Sequence, residues 1–446
     1  MGVWRFLFYA RGVNMGVKTE NKMAYEPVNK LIIQMSAPPL ISMFFQYSYN
    51  LVDSMFVAGI NEQALAAVSL AFPITTLMNA LSVWIGVGVN VLIAGYLGQK
   101  NQQKANSAAA LGVVISLFII NPYYSAFTQN KEIFEYGIAY MSVCVFMQIP
   151  NMVHIVLQKI LQATGNMIAP MWFQIAGVVF NFVFDPLLIF GIGPFPKMGV
   201  VGAAVATVLG YVVSTIIALI QLFLTKQKVK PVFKNCLEPQ MIKLIFSYGL
   251  PSFVMNALGA FTVNFANMFL VRYSDTAVAF FGAYFKVQQL IFMTVNGLIQ
   301  GCLPIMRFNY RAKEYGRLKQ ANKSGTIIAT VMMIVGMLLV LIFPKEILFL
   351  FSASEEMCAF GVPAMRIMSL GFVFSGFSAM IATYEQATDS IMPGVVVQLL
   401  RQGVLLVPVI WLLNSAVQMT GIWLAFPITE FVTFLVAVVF AKIKNH

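Results

Sequence analysis

Asn181-Phe-Val-Phe-Asp185-Pro186 lies inside an apolar run that extends from about Met167 to Phe190. A run of that length and composition is long enough to cross the ~30 Å hydrocarbon layer of a bilayer. An aspartate within it sits at membrane depth, where a charge costs at least ~2.5 kcal/mol on insertion scales. Asn181 and Asp185 are spaced i,i+4 and share one face of a helix. Pro186 has no N–H and crowds the carbonyl of Phe182, which loosens the helix beside the acid. A carboxylate, an amide and a freed carbonyl are the oxygen ligands that a small cation takes. A capped kink or a helix-packing polar pair is the alternative use of the same residues.

The rest of the chain has the same character. Of its 446 residues 59% are apolar and 10% charged, against about 25% charged in soluble domains. Apolar stretches of membrane-crossing length recur throughout, so the sequence reads as an all-α polytopic membrane protein. Its net charge of +12 is then a topology signal rather than a sign of nucleic-acid binding. Cys144, Cys236, Cys302 and Cys358 are scattered without CxxC spacing, and two histidines, His154 and His446, do not make a metal or catalytic cluster. No Walker, GxSxG or HExxH motif occurs. An enzyme is not expected, no cofactor is called for, and an ion gradient is the expected energy source. The Trp4–Tyr9 patch is too short for a signal-peptide core, and Met15 and Met23 are alternative starts to Met1.

Apolar runs set against Gly, Pro and charge punctuation give twelve spans, at 31–58, 65–97, 105–127, 135–162, 168–191, 199–224, 243–271, 276–306, 321–343, 358–386, 392–413 and 421–441. Lys and Arg number 20 in the N-tail, after spans 2, 6 and 8, and at the C-tail. The odd-numbered connections hold 4 (Lys131, Lys197, Arg272 and Lys345). This bias places both termini in the cytoplasm of a plasma-membrane protein.

The two halves of the sequence repeat. At a shift of 213 residues Lys30–Pro38 falls on Lys243–Pro251, Gly88 on Gly301, Lys100 on Lys313 and Lys104 on Arg317. At a shift of 222, Pro186 meets Pro408, Gly199 meets Gly421 and Thr207 meets Thr429. The organisation read from this is an N-tail (1–30), an N-lobe (31–224), a linker (225–242), a C-lobe (243–441) and a short tail (442–446). Six spans per lobe is even, so the repeat is parallel, the architecture of transporters that rock two lobes about a central site. Asp53 falls on Ala266 and Asp185 on Val407, which argues for one ion site rather than two symmetrical ones.

Depth counting gives Asp185 its partners. Asp53 precedes the span 1 exit at Gly59 by six residues, Asp185 precedes Gly191 by six, and Thr207 follows Gly199 by eight. At ~1.5 Å per residue all three lie roughly 9–12 Å below the outer surface. Tyr47, Tyr49 and Asn50 stand within reach of Asp53 for hydrogen bonding. Two neighbouring buried carboxylates do not both ionise easily without a cation, so the pair suits either a proton or Na⁺. In the second half, Lys286 stands about ten residues into span 8, placed either to pair structurally or to touch substrate. Glu430 follows Thr429 and is a candidate for the second-half cavity, while Glu385 and Asp389 are read as an ion-pair network opposite Arg401. His154 is read as a helix-packing group, and Arg307 and Arg311 as topology determinants. A cleft walled by some of the 39 Phe and 27 Met would be adaptable toward flat lipophilic ligands.

With these residues in place, the chain resembles the MATE (multidrug and toxic compound extrusion) family over residues 28–441. The resemblance rests on Asn50-Leu-Val-Asp53-Ser-Met-Phe-Val-Ala58, Leu161-Gln-Ala-Thr-Gly-Asn166, Asn181–Pro186, Gly202-Ala-Ala-Val-Ala-Thr207 and Pro304-Ile-Met-Arg-Phe-Asn309-Tyr310-Arg-Ala312. It implies a V-shaped two-lobe antiporter that expels organic cations in exchange for Na⁺ or H⁺. The DinF-like branch is the nearest, and its N-lobe ion site carries over onto Asp53, Asn181, Asp185 and Thr207, with Ala203 offering its carbonyl. The NorM-like branch adds an acid in helix 7, and residues 243–271 hold none. Arg307 and Arg311 replace glycines of the family's pattern. A lipid-linked oligosaccharide flippase of the same superfamily would need a basic cavity instead. A membrane sensor or an intramembrane enzyme would need a signalling domain or a paired nucleophile and base. The expected partners are small organic cations and the bilayer, and the expected state is a monomer.

Overall fold

A computed structural model describes residues 21–58, 62–118, 134–225, 227–233, 237–351 and 353–444. Among them the chain is helical from end to end, and the helices follow the twelve expected spans. Spans 1 to 6 are Val28–Ala58, Glu62–Gly98, Gln102–Phe118, Phe134–Ala163, Ile168–Phe190 and Val200–Leu224. Spans 7 to 9 are Pro239–Leu270, Asp275–Arg311 and Tyr315–Ile342. Span 10 is two segments, Glu355–Ser369 and Phe372–Ala387. Span 11 starts at Ile391 and passes through a π-helical stretch, Leu400–Val404. It then runs with span 12 as one continuous trace to Lys444, broken where Val417 and Gln418 leave helical geometry. The 52 residues of Ile391–Lys442 are long enough for two crossings.

The repeat read in the sequence reappears in the backbone. Span 2 ends with Lys100 in the left-handed region (φ 58°), and span 8 ends with Lys313 there (φ 62°). Asn101 N–H donates to Tyr96 O at 2.8 Å, and its counterpart Glu314 N–H donates to Asn309 O at 2.9 Å. This six-to-one bond is the Schellman closure of a helix C-terminus, made here without glycine. Spans 4 and 10 form a second such pair. Gly165 (φ 86°) and Asp389 (φ 63°) are left-handed, and Asn166 N–H and Ser390 N–H donate back to Leu161 O and Glu385 O.

The halves meet along spans 1 and 8 and along spans 2 and 7. Lipid offers helices little hydrophobic reason to associate, so the contact depends on close packing over small residues. A Cβ at Gly88 would stand 2.0 Å from Ile245 O, and one at Gly249 1.9 Å from Trp84 O. Across the pseudo-axis Gly301 abuts Ser36 and Gly297 abuts Leu40. The Trp84 indole N–H donates to Phe246 O at 2.6 Å, and its ring stacks on Phe253 at 4.4 Å.

Polar bridges between the halves gather at the end of the bundle that carries the linker. Lys159 Nζ of span 4 donates to Gln300 Oε1 of span 8 at 2.8 Å. Arg307, read from the sequence as a topology determinant, is 1% exposed. Its Nε donates to Val91 O of span 2 at 3.3 Å, and its Nη1 to Ala387 O and to Asp389 Oδ1, the latter at 2.7 Å. Its guanidinium lies 4.4 Å from the Tyr248 ring centre, while Arg311 Nη2 and the Tyr248 hydroxyl also donate to Asp389. Gly95 leaves the room for this, since a Cβ there would meet Arg307 Nε at 2.9 Å. Burial pushes the Asp389 carboxyl up, but Arg307, the Tyr248 hydroxyl and Arg311 outweigh it and hold it below the usual carboxylate range.

Gly88→Val is expected to destabilise the protein by about 1–3 kcal/mol by overpacking the seam, read as a lower thermal unfolding midpoint in detergent. Because the folded Asp389 titrates lower than an unfolded aspartate, its contribution is present at neutral pH and is lost as pH falls through the lowered value. Asp389→Asn should therefore destabilise most at neutral pH, and the gap to the wild type should close as pH falls below the usual carboxylate range.

Candidate functional site

Spans 5 and 6 form a tight antiparallel hairpin. Span 5 ends at Gly191, left-handed at φ 71°, whose N–H donates to Leu187 O. After the turn, Met198 N–H and Gly199 N–H donate back to Leu188 O and Ile189 O. Glycines then bring the helices to backbone contact. A Cβ at Gly202 would lie 2.6 Å from Leu188 O, one at Gly210 2.0 Å from Asn181 Oδ1, and one at Gly177 2.0 Å from Ser214 Oγ. The register that sets 188 beside 202 and 181 beside 210 puts Asp185 at the level of Ala206 and Thr207.

This hairpin hides the polar face of span 5. Asn181 is 4% exposed and Asp185 0%. Asn181 Oδ1 is buried and accepts no hydrogen bond from the described residues. Ala203 and Ala206 on span 6 are buried, and Pro186 is half-buried. Span 1 reaches the same level: Tyr49, 3% exposed, has its hydroxyl 3.0 Å from Thr207 Oγ1. Span 5 thus buries a carboxylate and an amide oxygen, and spans 1 and 6 set a hydroxyl pair at the level of that carboxylate. Such hard oxygen donors suit Na⁺, and the buried carboxylate equally suits a proton.

Asp53 stands four residues beyond Tyr49 in span 1; its side chain and that of Asn50 lie outside the described residues. Tyr47 is half-buried. Tyr49, grouped with Tyr47 and Asn50 in the sequence as a neighbour of Asp53, has its hydroxyl against Thr207 instead, a pairing that the sequence did not indicate. The glycine approaches left no mark there either, because they depend on the register between two helices. His154 is buried at 5%, with both ring nitrogens lacking a hydrogen-bond partner among the described residues. It packs edge-on to Phe173 at 5.4 Å and stacks on Tyr211 at 6.4 Å.

In the second half Lys286 is exposed and forms no ion pair among the described residues. The expected network of Glu385 and Asp389 opposite Arg401 is rearranged. Asp389 pairs with Arg307 and Arg311, while Arg401 pairs with Glu430 at 2.8 Å. Span 12 thus supplies Arg401's counter-charge, because the π-helical turn at Leu400–Val404 carries Arg401 toward it. Glu430 and Thr429 line a small cavity in this half.

Known proteins share this frame. The MatE family model matches residues 38–187 and 251–412, two segments whose starts differ by the repeat's own 213 residues. The chain is similar to Multidrug export protein MepA of Staphylococcus aureus (strain MSSA476), 25% identical over 411 residues and covering 89% of each chain. It is similar to MepA of Staphylococcus haemolyticus (strain JCSC1435), 25% identical over 432 residues and 94% of each. Among solved structures it is similar to an outward-facing multidrug resistance MATE family transporter of the MOP superfamily, 22% identical, with a TM-score of 0.87 over 96% of this chain and 98% of that one. A MOP superfamily transporter from Pyrococcus furiosus, described as having a binding pocket of reverse polarity, matches with the same identity, coverage and TM-score. These structural likenesses concern the fold.

Gly210→Ala should push its Cβ into the Asn181 amide and raise, at least about tenfold, the Na⁺ or proton concentration that half-maximally stabilises the protein against heat. Gly282→Ala is the control, since a Cβ there meets nothing within 4 Å. Equal ion dependence in the two variants would remove Asn181 from the site.

Proposed function

The chain belongs to the MatE family, and on that premise we propose that it is a secondary multidrug exporter that expels lipophilic organic cations in exchange for Na⁺ or H⁺. The observation that carries the ion half of this reading is the hairpin of spans 5 and 6, where Asn181 and Asp185 are buried and the Tyr49–Thr207 contact lies at the level of Asp185. The export half is supported by relatives named multidrug export proteins that match over most of their length. The protein works as a monomer in the cell membrane, with both termini and the linker on the cytoplasmic side, where Lys and Arg concentrate.

Coupling follows from charge. An ionised Asp185 in a dry helical hairpin is costly, and an arriving cation or proton removes that cost. Asp53 of span 1 and the Ala203 carbonyl complete the ligand set with Asn181 and Thr207. Pro186 leaves span 5 without one backbone hydrogen bond, so neutralising Asp185 beside it shifts the helix at its weakest turn. The cation then favours one lobe arrangement and its release favours the other. The contacts among Gly88, Gly249, Gly301, Arg307 and Lys159 close the linker end.

Efflux of a cationic dye from proteoliposomes, driven by a Na⁺ gradient alone or a pH gradient alone, tests the reading and identifies the ion. Asp53→Asn and Asp185→Asn are each expected to abolish gradient-driven efflux while the folded protein remains in the membrane. Transport at the wild-type rate by either variant would overturn the assignment.

A further inference from the structure

The second half holds a largely buried ion pair that the exchange reading does not use. Arg401, 8% exposed, rises from the π-helical stretch of span 11. Such one-turn bulges re-aim a side chain at the cost of regular hydrogen bonding and are frequent at functional sites. The guanidinium makes one hydrogen bond among the described residues, from Nε to Glu430 Oε1 at 2.8 Å. Its Cζ lies over the Phe292 ring, 4.9 Å from the centre. A single-point contact uses far less of a guanidinium than the two-pronged pairing with carboxylate that it can form.

Around this pair lie polar atoms with capacity to spare. Glu430 Oε2 and Thr429 Oγ1 are buried without a hydrogen-bond partner among the described residues, as is the hydroxyl of Tyr284, which lies within electrostatic range of Glu430. Thr429 is 2% exposed and Tyr284 0%. Thr429 and Glu430 line a small, partly open cavity whose apolar wall includes Phe292, Phe372, Phe426 and Met368. Phe372 meets Phe292 edge-on at 5.4 Å. Thr429 is also the repeat counterpart of Thr207, the hydroxyl of the first-half site. A carboxylate with a free oxygen, a hydroxyl and aromatic faces form a receptor for a flat organic cation that carries N–H donors. A guanidinium of the chain itself now fills part of that receptor.

We propose that the second half carries its own organic-cation subsite, in which Glu430, Thr429 and the Phe292, Phe372 and Phe426 rings hold the substrate's charged head and Arg401 is the resident cation that the substrate replaces. The proposal rests on the reading of the protein as an exporter of organic cations. Its logic is that a buried carboxylate must keep a cationic partner. Glu430 is therefore never left alone: Arg401 neutralises it when the subsite has no substrate, and the substrate does so when bound. Arg401 thereby competes with every substrate, and only a cation that brings both charge and a flat face displaces it.

Ethidium, a flat cation with amino groups, tests this by fluorescence titration of the full-length protein in lipid nanodiscs, with uncharged Nile red as the control ligand. Arg401→Gln removes the resident competitor and should tighten ethidium binding about tenfold. Glu430→Gln should weaken it about tenfold relative to the wild type, and Nile red should follow neither change. Arg401→Gln leaves a buried carboxylate unpaired and risks misfolding. The charge-neutral double variant Arg401→Gln/Glu430→Gln avoids that risk and should bind ethidium as weakly as Glu430→Gln. A double variant that binds as tightly as the wild type overturns the proposal, and so does an Arg401→Gln protein that binds more weakly. If those results come with normal ethidium export by the wild type, the subsite alone is wrong. A wild type that neither binds nor exports ethidium overturns both the subsite and the efflux reading.

Discussion

A polar side chain survives in a bilayer only where helices close over it, and helices close that tightly only where one of them lacks a side chain. The hairpin of spans 5 and 6 shows the two halves of this constraint. Asn181 and Asp185 are buried because Gly202, Gly210 and Gly177 let span 6 lie against span 5 at backbone distance. Gly210 is the critical position, because the space its missing Cβ would occupy is taken by the Asn181 amide. The site is thus as much a property of three glycines as of its polar residues, and its dryness makes the charge state of Asp185 matter to the fold.

The same economy operates between the halves. Gly88, Gly249, Gly297 and Gly301 set spans 2 and 7 and spans 1 and 8 in contact, and the polar bridges stand beside them. Arg307 shows what the tight seam permits. Gly95 on the facing helix concedes the space for its side chain, and its charge is met by Asp389 and the Tyr248 ring. Part of the closed end is consequently held by charge as well as by packing, and that part responds to pH through Asp389.

Much of this was legible in the sequence because it follows from one-dimensional signals. Span number came from apolar run length, and the repeat came from matched residues that recur in the backbone, down to left-handed Lys100 and Lys313. The burial of Asn181 and Asp185 followed from their place in an apolar run, and Thr207 was placed at their level by counting rise per residue. What could not be read depends on register between helices. Depth counting sets residues at one height but does not say which faces meet, so Tyr49 rather than Tyr47 is the residue that reaches Thr207. Arg401 was set opposite Asp389 on sequence proximity, whereas a one-residue change of helical phase at the π-turn turns it to Glu430 on span 12. Local patterns do not encode a bulge that only tertiary packing rewards.

The halves therefore share a frame but not a chemistry. Thr207 and Thr429 occupy one repeat position, yet the neighbouring charge differs in kind: an aspartate of span 5 in the first half, a glutamate of span 12 with a resident arginine in the second. A carboxylate surrounded by amide and hydroxyl oxygens favours a small bare cation or a proton, since each donor can turn a lone pair inward. A carboxylate beside aromatic faces and already holding a guanidinium favours a large, flat, weakly hydrated cation, because ring faces give nothing to a tightly hydrated ion. The repeat places a threonine hydroxyl at equivalent positions of the two halves. In the exchange we propose, the different charges around them separate two classes of cation, the small one that drives exchange and the large one that is moved.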